Sequence, residues 1–345
     1  MKNLDNDNKP PEQRSVPLTF YLPKTLENKD IYQNGLSNII DRLTIKVERK
    51  IEKCYRLWEE FSPKNSIFNL WDFRYSWYQG WGYQPFFYTI YLGQKPLAVL
   101  PLWFNQKEKK YQWFGGTWPE DNYFFVKDEN FILPFLKISP RPIHLNAIVP
   151  QSGFLKWTGN YLQNDTPKYV IFSSNYKKID DFLMSLKKKN RHHLRYYFKR
   201  YSEVINKIEW VEGNQSQNIN LLYKLSLLDY ERRIGDESEY RKKERLKTFK
   251  MIYKNQGVYK IFSLYLWVGD YLAAYDILGL YKNKFYLLTG ASDIDHFPGL
   301  GVFITYVELQ KAWEMGVELI DCMQEDYNWK HKYFTPQPML KFEKE

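Results

Sequence analysis

Two segments of the chain share one pattern, and this pattern constrains the fold most. Each has a run of β-forming residues, a short glycine-containing turn, and a second run that mixes alanine with larger apolar residues. The segments are PFFYTIYLGQKPLAVLPL (85–102) and YKIFSLYLWVGDYLAAYDI (259–277). Each one predicts a β-hairpin. Because the hairpins fall in different halves of the chain, we predict two lobes of similar build.

Composition agrees with this organisation. The chain has 345 residues, which suits about two domains of roughly 150 residues each. The 29 Tyr, 23 Phe and 12 Trp supply enough buried area for packed cores. A formal charge of +10 favours an anionic partner, such as a phosphate-bearing cofactor, a nucleic acid or a membrane surface. Only two cysteines are present, so a disulfide framework is not expected. A cytoplasmic location is expected.

The beginning of the chain is polar. Residues 1–35 are rich in Asn, Pro and Lys and are expected to be mobile, and no secretory signal is expected. No run approaches eighteen apolar residues, so no membrane span is expected. We assign residues 36–178 to an N-terminal lobe, 179–335 to a C-terminal lobe and 336–345 to a tail.

Periodicity predicts the main helices and strands. Helices are expected over 46–61, over an aromatic segment that ends at Gly80 or Gly82, from Ile179 to about Val204, and within 218–253. Strands are expected in KYQWF, RPIHLNAIVP, KYVIFSSN, KIEWVEG and VELIDC, in addition to the two hairpins.

The first candidate site is HFPGLGVF, residues 296–303, where a Gly-x-Gly directly precedes a helical pattern. Glycines allow consecutive N–H groups to turn toward one anion, and a helix N-terminus adds positive potential. We therefore predict a pyrophosphate site with free N–H groups from Leu300 through Phe303. Ile304 occupies the place of the third glycine of a dinucleotide fingerprint, so that motif is absent. A purely structural turn is the alternative.

The second candidate is the basic segment SLKKKNRHHLRYYFKRY, residues 185–201. On a helix its apolar residues form one stripe, and a cationic side suited to phosphates carries Lys188, Arg191, Arg195 and Lys199. Arg191 and Arg195 are predicted to bind substrate. The alternative is an ordinary solvated helix face.

The third candidate is ELIDCMQEDYNWKHKYF, residues 318–334. A strand places Asp321 at its end, and the following turn carries Asp326 and Lys330. The carboxylates could orient or deprotonate an amine, and Lys330 could neutralise a phosphate or carboxylate. A lysine on a loop is expected to have few buried contacts, so its loss should affect turnover more than stability. An ordinary charged loop is the alternative.

These segments resemble those of one family. HFPGLGVF resembles the Q/R-x-x-G-x-G/A pyrophosphate loop of GNAT acyltransferases, with His296 in place of Gln or Arg. LKKKNRHHLRYYFKR is similar to the basic helix of the GNAT branch associated with cellulose and exopolysaccharide biosynthesis, which is related to Fem peptidoglycan aminoacyltransferases.

The closing motif of that branch, roughly D-F-G-R-G-D-x-x-Y-K, resembles residues 321–330. Asp321, Asp326 and Lys330 match it at the right spacing, whereas Trp329 replaces its tyrosine. Two glycines of the motif are replaced by Met323 and Glu325.

The resemblance implies an α/β (α+β) fold of tandem GNAT-like lobes, each a mixed central sheet flanked by helices. It implies an N-acyltransferase that uses acyl-CoA, such as acetyl-CoA, and no metal. The chain has no HExxH or GxSxG motif, and transfer by positioning requires neither. The implied donor-binding residues are His296, Gly299, Leu300, Gly301, Val302 and Phe303. The implied substrate-binding residues are Arg191, Arg195, Trp329 and Tyr333, and the implied catalytic residues are Asp321, Asp326 and Lys330.

The acceptor would be an amine of a small molecule or of a cell-envelope or polysaccharide precursor. Two alternatives stay open: Fem-like aminoacyl transfer, with the basic helix holding tRNA, and a non-catalytic polyanion-binding protein on a GNAT scaffold. No DNA partner is expected.

Overall fold

The computed structural model describes residues 43–151, 161–228 and 237–345. The segment 1–35, predicted to be mobile, lies outside the described residues. The helices, in chain order, are α1 (Ile51–Phe61), α2 (Trp71–Trp81), α3 (Ile132–Ile138), α4 (Ile179–Ser185), α5 (Lys188–Ser202), α6 (Asn220–Ser226), α7 (Lys243–Lys254) and α8 (Leu300–Glu314).

The strands form two sheets. They are β1 (Leu43–Glu48), β2 (Pro85–Leu92), β3 (Lys95–Asn105), β4 (Lys110–Trp113), β5 (Phe125–Val126), β6 (Ile143–Ile148), β7 (Gln163–Asn164), β8 (Lys168–Ile171), β9 (Lys207–Glu212), β10 (Lys260–Val268), β11 (Tyr271–Tyr281), β12 (Lys284–Ser292), β13 (Leu319–Asp321), β14 (Thr335–Gln337) and β15 (Leu340–Lys344). Both predicted hairpins are confirmed, as β2–β3 and β10–β11.

The chain divides into two compact units, and each is discontinuous in sequence. Of the described residues, the first contains 43–63, 83–151, 161–165 and 339–345, and the second contains 64–82, 166–228 and 237–338. The predicted lobes were continuous segments, 36–178 and 179–335. The units differ from them chiefly because α2 packs within the second unit and β15 pairs within the sheet of the first.

The first unit is built on a mixed sheet with the strand order β1-β2-β3-β4-β6-β15-β7, to which β5 adds through β3. Most neighbours are antiparallel, but β4 and β6 are parallel. One side is covered by α1, whose Trp58 packs edge-on against Phe125 with ring centroids 4.8 Å apart. On the core side Ile90, Leu102 and Phe135 are fully buried.

The second unit has a sheet with the strand order β14-β8-β13-β12-β11-β10-β9. The strands from β9 to β12 run antiparallel to their neighbours, whereas β12 and β13 are parallel. Its core includes Leu194 of α5, Leu278 of β11 and Leu309 of α8, all fully buried. The helices α5 and α8 therefore cover one side of this sheet.

The helix α2 belongs to the second unit because it packs closely on α7. A side chain at Gly80 would overlap the Thr248 side chain and lie 2.9 Å from the Glu244 carbonyl oxygen. Trp77 and Phe249 make an edge contact at the same interface. The glycine thus permits the close approach of the two helices.

Some predicted boundaries are wrong. The predicted helix 46–61 begins at Ile51, because residues 43–48 pair with β2 as a strand. The predicted helix from Ile179 to Val204 is two helices, separated at Leu186, which is extended with φ −70° and ψ 151°. The aromatic helix ends as expected, with Gly82 in the left-handed conformation at φ 70°. None of the helices in the described ranges is long and apolar enough to cross a membrane.

Candidate active site

The sheet of the second unit separates into a fork between β12 and β13. The two strands pair over three residues only, from Lys284–Leu319 to Tyr286–Asp321. After Asp321 the chain stays beside β8, where the N–H of Cys322 donates to the Tyr169 carbonyl at 2.8 Å. No described strand pairs with β12 on that side beyond Tyr286. We call the space between residues 287–292 and 322–323 the β12–β13 fork.

A β-bulge lies on the β12 side of this fork. The pairing with β11 shifts between Ile277–Thr289 and Leu278–Leu287, so Leu288 is an extra residue. A bulge leaves its extra residue out of the ladder and turns the backbone there. The bulge lies two residues after Tyr286, the last residue of β12 that pairs with β13.

The glycine loop follows β12 and leads into α8, as predicted. Gly299 has a φ of 88°, in the left-handed region that favours glycine. A side chain there would also overlap the ring of Tyr197 from α5. The fold itself therefore requires Gly299.

Gly301 has no such structural requirement. It lies in the first turn of α8 and is exposed, and a Cβ added there would meet no other residue of the described ranges within 4 Å. Within the described residues its N–H has no partner. The prediction that all N–H groups from Leu300 through Phe303 are free is wrong, because Leu300, Val302 and Phe303 donate to backbone carbonyls of the same loop at 3.0–3.5 Å.

His296 is held at the start of the loop by a buried carboxylate. Asp293 is fully buried, accepts hydrogen bonds from the backbone N–H of His296 (3.1 Å) and from Tyr271 Oη (2.5 Å), and lies 2.7 Å from His296 Nδ1. Burial alone would raise the pKa of Asp293, but the bonds from Tyr271 and His296 outweigh it and lower that pKa. The imidazole itself is 61% exposed, so it can reach a ligand at the loop.

The basic helix α5 lies against the same loop. Tyr201 donates to the Pro298 carbonyl at 2.9 Å, and the ring of Tyr197 covers Gly299. Arg191 uses its guanidinium to bond the carbonyls of Met184 (3.1 Å) and Leu186 (3.4 Å) at the end of α4. The cations that are exposed on α5 and the segment before it are Lys187, Lys188, Lys189, Arg195, Lys199 and Arg200.

Asp321 forms a buried ion pair. Its Oδ2 lies 2.6 Å from Lys168 Nζ, and the two side chains are 2% and 6% exposed. The other oxygen, Oδ1, accepts from the N–H of Met323 at 2.9 Å. Asp321 therefore fixes the point at which the chain leaves β12. Its predicted catalytic role stays a prediction.

The residues Asp326 and Lys330 also have partners within the loop. Lys330 is 6% exposed, and its ammonium donates to the carbonyls of Cys322 and Gln324, both at 2.5 Å. The expectation that it has few buried contacts is therefore wrong. Asp326 accepts from the N–H of His331 at 2.9 Å. Burial tends to raise the pKa of Asp326, but the hydrogen bonds and charge of His331 lower it overall.

The loop between Asp321 and Lys330 is strained at non-glycine residues. Met323, Glu325, Tyr327 and Asn328 have φ values of 64°, 59°, 45° and 64°. The first two stand where the resembling motif has glycines, so the backbone keeps a conformation that favours glycine although the side chains have changed. Strain of this kind persists only where surrounding contacts hold it. Here Lys330 and Asp321 supply those contacts.

Replacing Glu325 with glycine is expected to raise the free energy of unfolding by about 0.5–1 kcal/mol, because a left-handed L-residue costs about 1–2 kcal/mol and glycine loses part of that gain to chain entropy. Glu325 is exposed, so no buried contact is lost. Urea denaturation measures the change. The matched control is Asp270→Gly, at an exposed turn position without a positive φ, and it should not raise the free energy of unfolding. If the Glu325→Gly protein is less stable than the wild type, the backbone at Glu325 is not strained.

Trp329 and Tyr333 lie behind this loop. Tyr333 is 4% exposed, and its hydroxyl lies 2.7 Å from Nδ1 of His193 on α5. Burial, and next the charge of Tyr197, raise the pKa of Tyr333 to about 12. Trp329 is half-buried against Phe334. Their predicted contact with substrate stays a prediction.

Sequence reasoning missed one pair of buried acids. Asp276 of β11 and Glu308 of α8 are 8% and 5% exposed, and a hydrogen bond joins their carboxyl groups. An acid within the apolar strand YLAAYDILGLY was the signal that could have identified Asp276.

The corresponding separation in the first unit is closed. There β4 and β6 pair only at Tyr111–Ile143, and Asn122 then forms a parallel bridge with Ile148. The Asn122 side chain also donates to the Asn146 carbonyl at 2.9 Å, and so does Trp113 Nε1. These contacts fill the place that corresponds to the β12–β13 fork.

The comparisons with known proteins bear on the fold. No family model matches the sequence, and no curated protein sequence matches it. Among solved structures, FemX has 12% identity and a TM-score of 0.53, with 87% of this chain and 97% of FemX covered. A tandem GNAT protein from the clavulanic acid biosynthesis pathway has 10% identity and a TM-score of 0.50, with 87% and 98% covered. The chain has a tandem GNAT-like fold.

A third solved structure is similar at the same level. It is the C-terminal domain of a putative lysylphosphatidylglycerol synthetase from Agrobacterium fabrum, with 11% identity, a TM-score of 0.51, and 84% of this chain and 91% of that domain covered. In the GNAT-like fold of this chain, the second unit carries the fork, the bulge and the glycine loop in one continuous stretch from β12 to β13.

Proposed function

We propose that the protein is an N-acyltransferase that moves an acyl group from acyl-CoA to an amine. The amine would belong to a small molecule or to a cell-envelope or polysaccharide precursor. The observation that supports this best is the sequence of features along the fork: a bulge at Leu288, the edge of β12, and a free N–H at Gly301. These suit, in order, a carbonyl, an extended arm and a pyrophosphate.

The residues present fit the diphosphate of CoA. Gly301 lies at the N-terminus of a fifteen-residue helix. No atom of the described residues bonds its N–H or occupies the space that a side chain there would fill. The helix dipole favours negative charge at this end. His296, which is exposed beside the loop, and the cations of α5 add to the positive potential.

The chemistry requires positioning more than a nucleophile. An amine attacks a thioester carbonyl when the two are held in contact, and the negative charge that develops on the carbonyl oxygen needs a hydrogen-bond donor. The bulged backbone at residues 287–289 would provide the donor. The loop after Asp321, fixed by Lys168 and Lys330, forms the other side of the fork, where the acceptor would bind. Asp321 and Lys330 would then act as positioning residues.

Replacing Gly301 with valine is expected to weaken CoA binding more than tenfold, or by at least about 1.4 kcal/mol. A side chain at this position would stand where the diphosphate approaches, although it meets no protein atom. Isothermal titration calorimetry with free CoA measures the effect. Gly257→Val is the matched control, because Gly257 is also exposed, has no positive φ and has no neighbour within 4 Å of an added Cβ. Unchanged CoA affinity in a folded Gly301→Val protein would show that the loop is structural.

A second candidate function is aminoacyl transfer from tRNA. The observation that favours it is the cationic side of α5, where Lys188, Arg195 and Lys199 are exposed and make no ion pair with any described residue. The aromatic ring of Tyr196, 53% exposed, lies on the same helix and could stack on a base. Salt-sensitive retention of tRNA without CoA binding would favour this function. CoA binding without tRNA retention would favour acyl-CoA as the donor.

A further inference from the structure

Two carboxyl groups lie between the sheet and α8, beside the fork. Asp276 extends from β11 and Glu308 from α8, and a hydrogen bond joins them. Two carboxylates cannot form such a bond unless one of them carries a proton. The pair is therefore a buried proton carrier. It is not among the residues that bind the donor or the acceptor in the proposed reaction.

Gly290 opens a path from this pair to the edge of β12. Asp276 and Gly290 are opposite each other in the β11–β12 ladder, and a side chain at Gly290 would overlap the carboxylate of Asp276. Gly290 has no left-handed φ, so its requirement is for space and not for conformation. The carboxylate occupies the place of the missing side chain. Gly290 is itself exposed, so a ligand can approach the carboxyl group there.

The position of Gly290 along β12 indicates which part of the substrate it faces. It follows the bulged Leu288 by two residues, about 7 Å of strand, in the direction of the glycine loop. A donor with its diphosphate at Gly301 and its carbonyl at the bulge must pass Gly290 with the arm that carries the sulfur. The carboxyl pair therefore lies on the side of the leaving group.

We propose that the Asp276–Glu308 pair gives its proton to the departing sulfur of the thioester. This inference rests on the proposed acyl-CoA reaction. The amine nitrogen forms a bond to the carbonyl carbon and the carbon–sulfur bond breaks, with its electron pair passing to sulfur. The sulfur takes the proton from the pair and leaves as a thiol. The nitrogen loses a proton to water, and water returns one to the pair.

The environment keeps the pair protonated near neutral pH. Burial raises the pKa of Asp276, and burial together with the charge of Asp276 raises the pKa of Glu308. Burial, and to a smaller extent the charge of Asp276, raise the pKa of the nearby Tyr240 to about 12, so this phenol stays neutral. A carboxylic acid kept neutral in this way can donate a proton where an ordinary carboxylate cannot.

The test uses the whole chain and two isosteric variants, Asp276→Asn and Glu308→Gln. Thiol release from acetyl-CoA with glucosamine as acceptor is followed across pH. In the wild type the rate should fall at alkaline pH as the pair loses its last proton. Both variants should lose this limb and be on the order of 100-fold slower near neutral pH. Glu314→Gln, an exposed position on the same helix, is the control and should behave as the wild type.

A second readout needs no activity. Carbon-13 NMR of carboxyl-labelled aspartate and glutamate should show two coupled groups that titrate above the ordinary carboxyl range, and either variant should abolish the coupling. An active protein whose variants keep the alkaline limb, or a pair that titrates as ordinary carboxyls, overturns this inference alone. A wild-type protein that releases no thiol and does not bind CoA overturns the proposed function and this inference with it.

Discussion

Replacing Lys168 with methionine is expected to lower the free energy of unfolding of the second unit by about 3–5 kcal/mol, because it removes the positive charge that contacts a buried carboxylate. Lys168 Nζ lies 2.6 Å from Asp321 Oδ2, and the two side chains are 6% and 2% exposed. The ammonium also lies over the ring of Phe68, at 5.4 Å from its centroid. Methionine fills much of the volume of the lysine stem, so the loss reports the charge and not a cavity.

Urea denaturation, followed by probes in each unit, measures this change. Lys207→Met is the control, because the Lys207–Glu209 pair is 56% and 38% exposed and should contribute less than about 1 kcal/mol. The double variant Lys168→Met, Asp321→Leu should recover part of the loss, since it removes the buried carboxylate as well. A loss of under 1 kcal/mol in Lys168→Met would mean that Asp321 is not held by this pair.

The same ion pair shows what the sequence could not supply. Asp321 was predicted to end a strand, and it does, because VELIDC is a short apolar run with a polar residue at its end. Its partner is Lys168, which opens a strand far earlier in the chain. Nothing local relates the two residues, since only the antiparallel pairing of β8 with β13 brings them together. Sequence reasoning could therefore propose a role for the Asp321 carboxylate, but it could not predict the ion pair that this carboxylate forms with Lys168.

The glycine loop illustrates the opposite case. Its place between a strand and a helix could be predicted, because Gly-x-Gly and the apolar spacing after it are local signals. The distinct roles of the two glycines could not. Gly299 is required by its φ and by Tyr197, which comes from another helix, whereas a Cβ added at Gly301 would meet no other described residue within 4 Å. Only tertiary contacts distinguish the glycine that the fold requires from the one that has open space beside it.

The compact units follow the order of the sequence less closely than the predicted lobes do, for a similar reason. The predicted lobes followed the order of the sequence, but α2 packs on α7 through Gly80, and β15 pairs with β6 and β7. The helix α2 was recognisable in the sequence, and β15 is a short strand. The partners of both elements lie far away along the chain. The periodicity of apolar residues identifies a helix or strand and its apolar side. It does not identify the part of the protein on which that side packs.

Replacing Lys330 with alanine is expected to lower the free energy of unfolding by about 2–4 kcal/mol, because the carbonyls of Cys322 and Gln324 would each lose a charged, buried donor. The strained residues Met323 and Glu325 lie next to these carbonyls, so the loop should also relax toward ordinary φ values. The expectation from sequence, that this lysine matters for turnover and little for stability, is thereby reversed for stability.

Two measurements separate the two roles of Lys330. Hydrogen exchange of residues 322–328 should accelerate in Lys330→Ala. The control is Lys332→Ala, which changes a half-buried lysine of the same segment and should leave this exchange unchanged. Lys330→Arg keeps the positive charge, but a guanidinium is too large to donate to the carbonyls of Cys322 and Gln324 from the position of one ammonium. If Lys330→Ala exchanges and unfolds as the wild type does, the ammonium does not hold the loop. If the loop opens and thiol release falls together, the lysine acts on the reaction by holding the loop that forms one side of the β12–β13 fork.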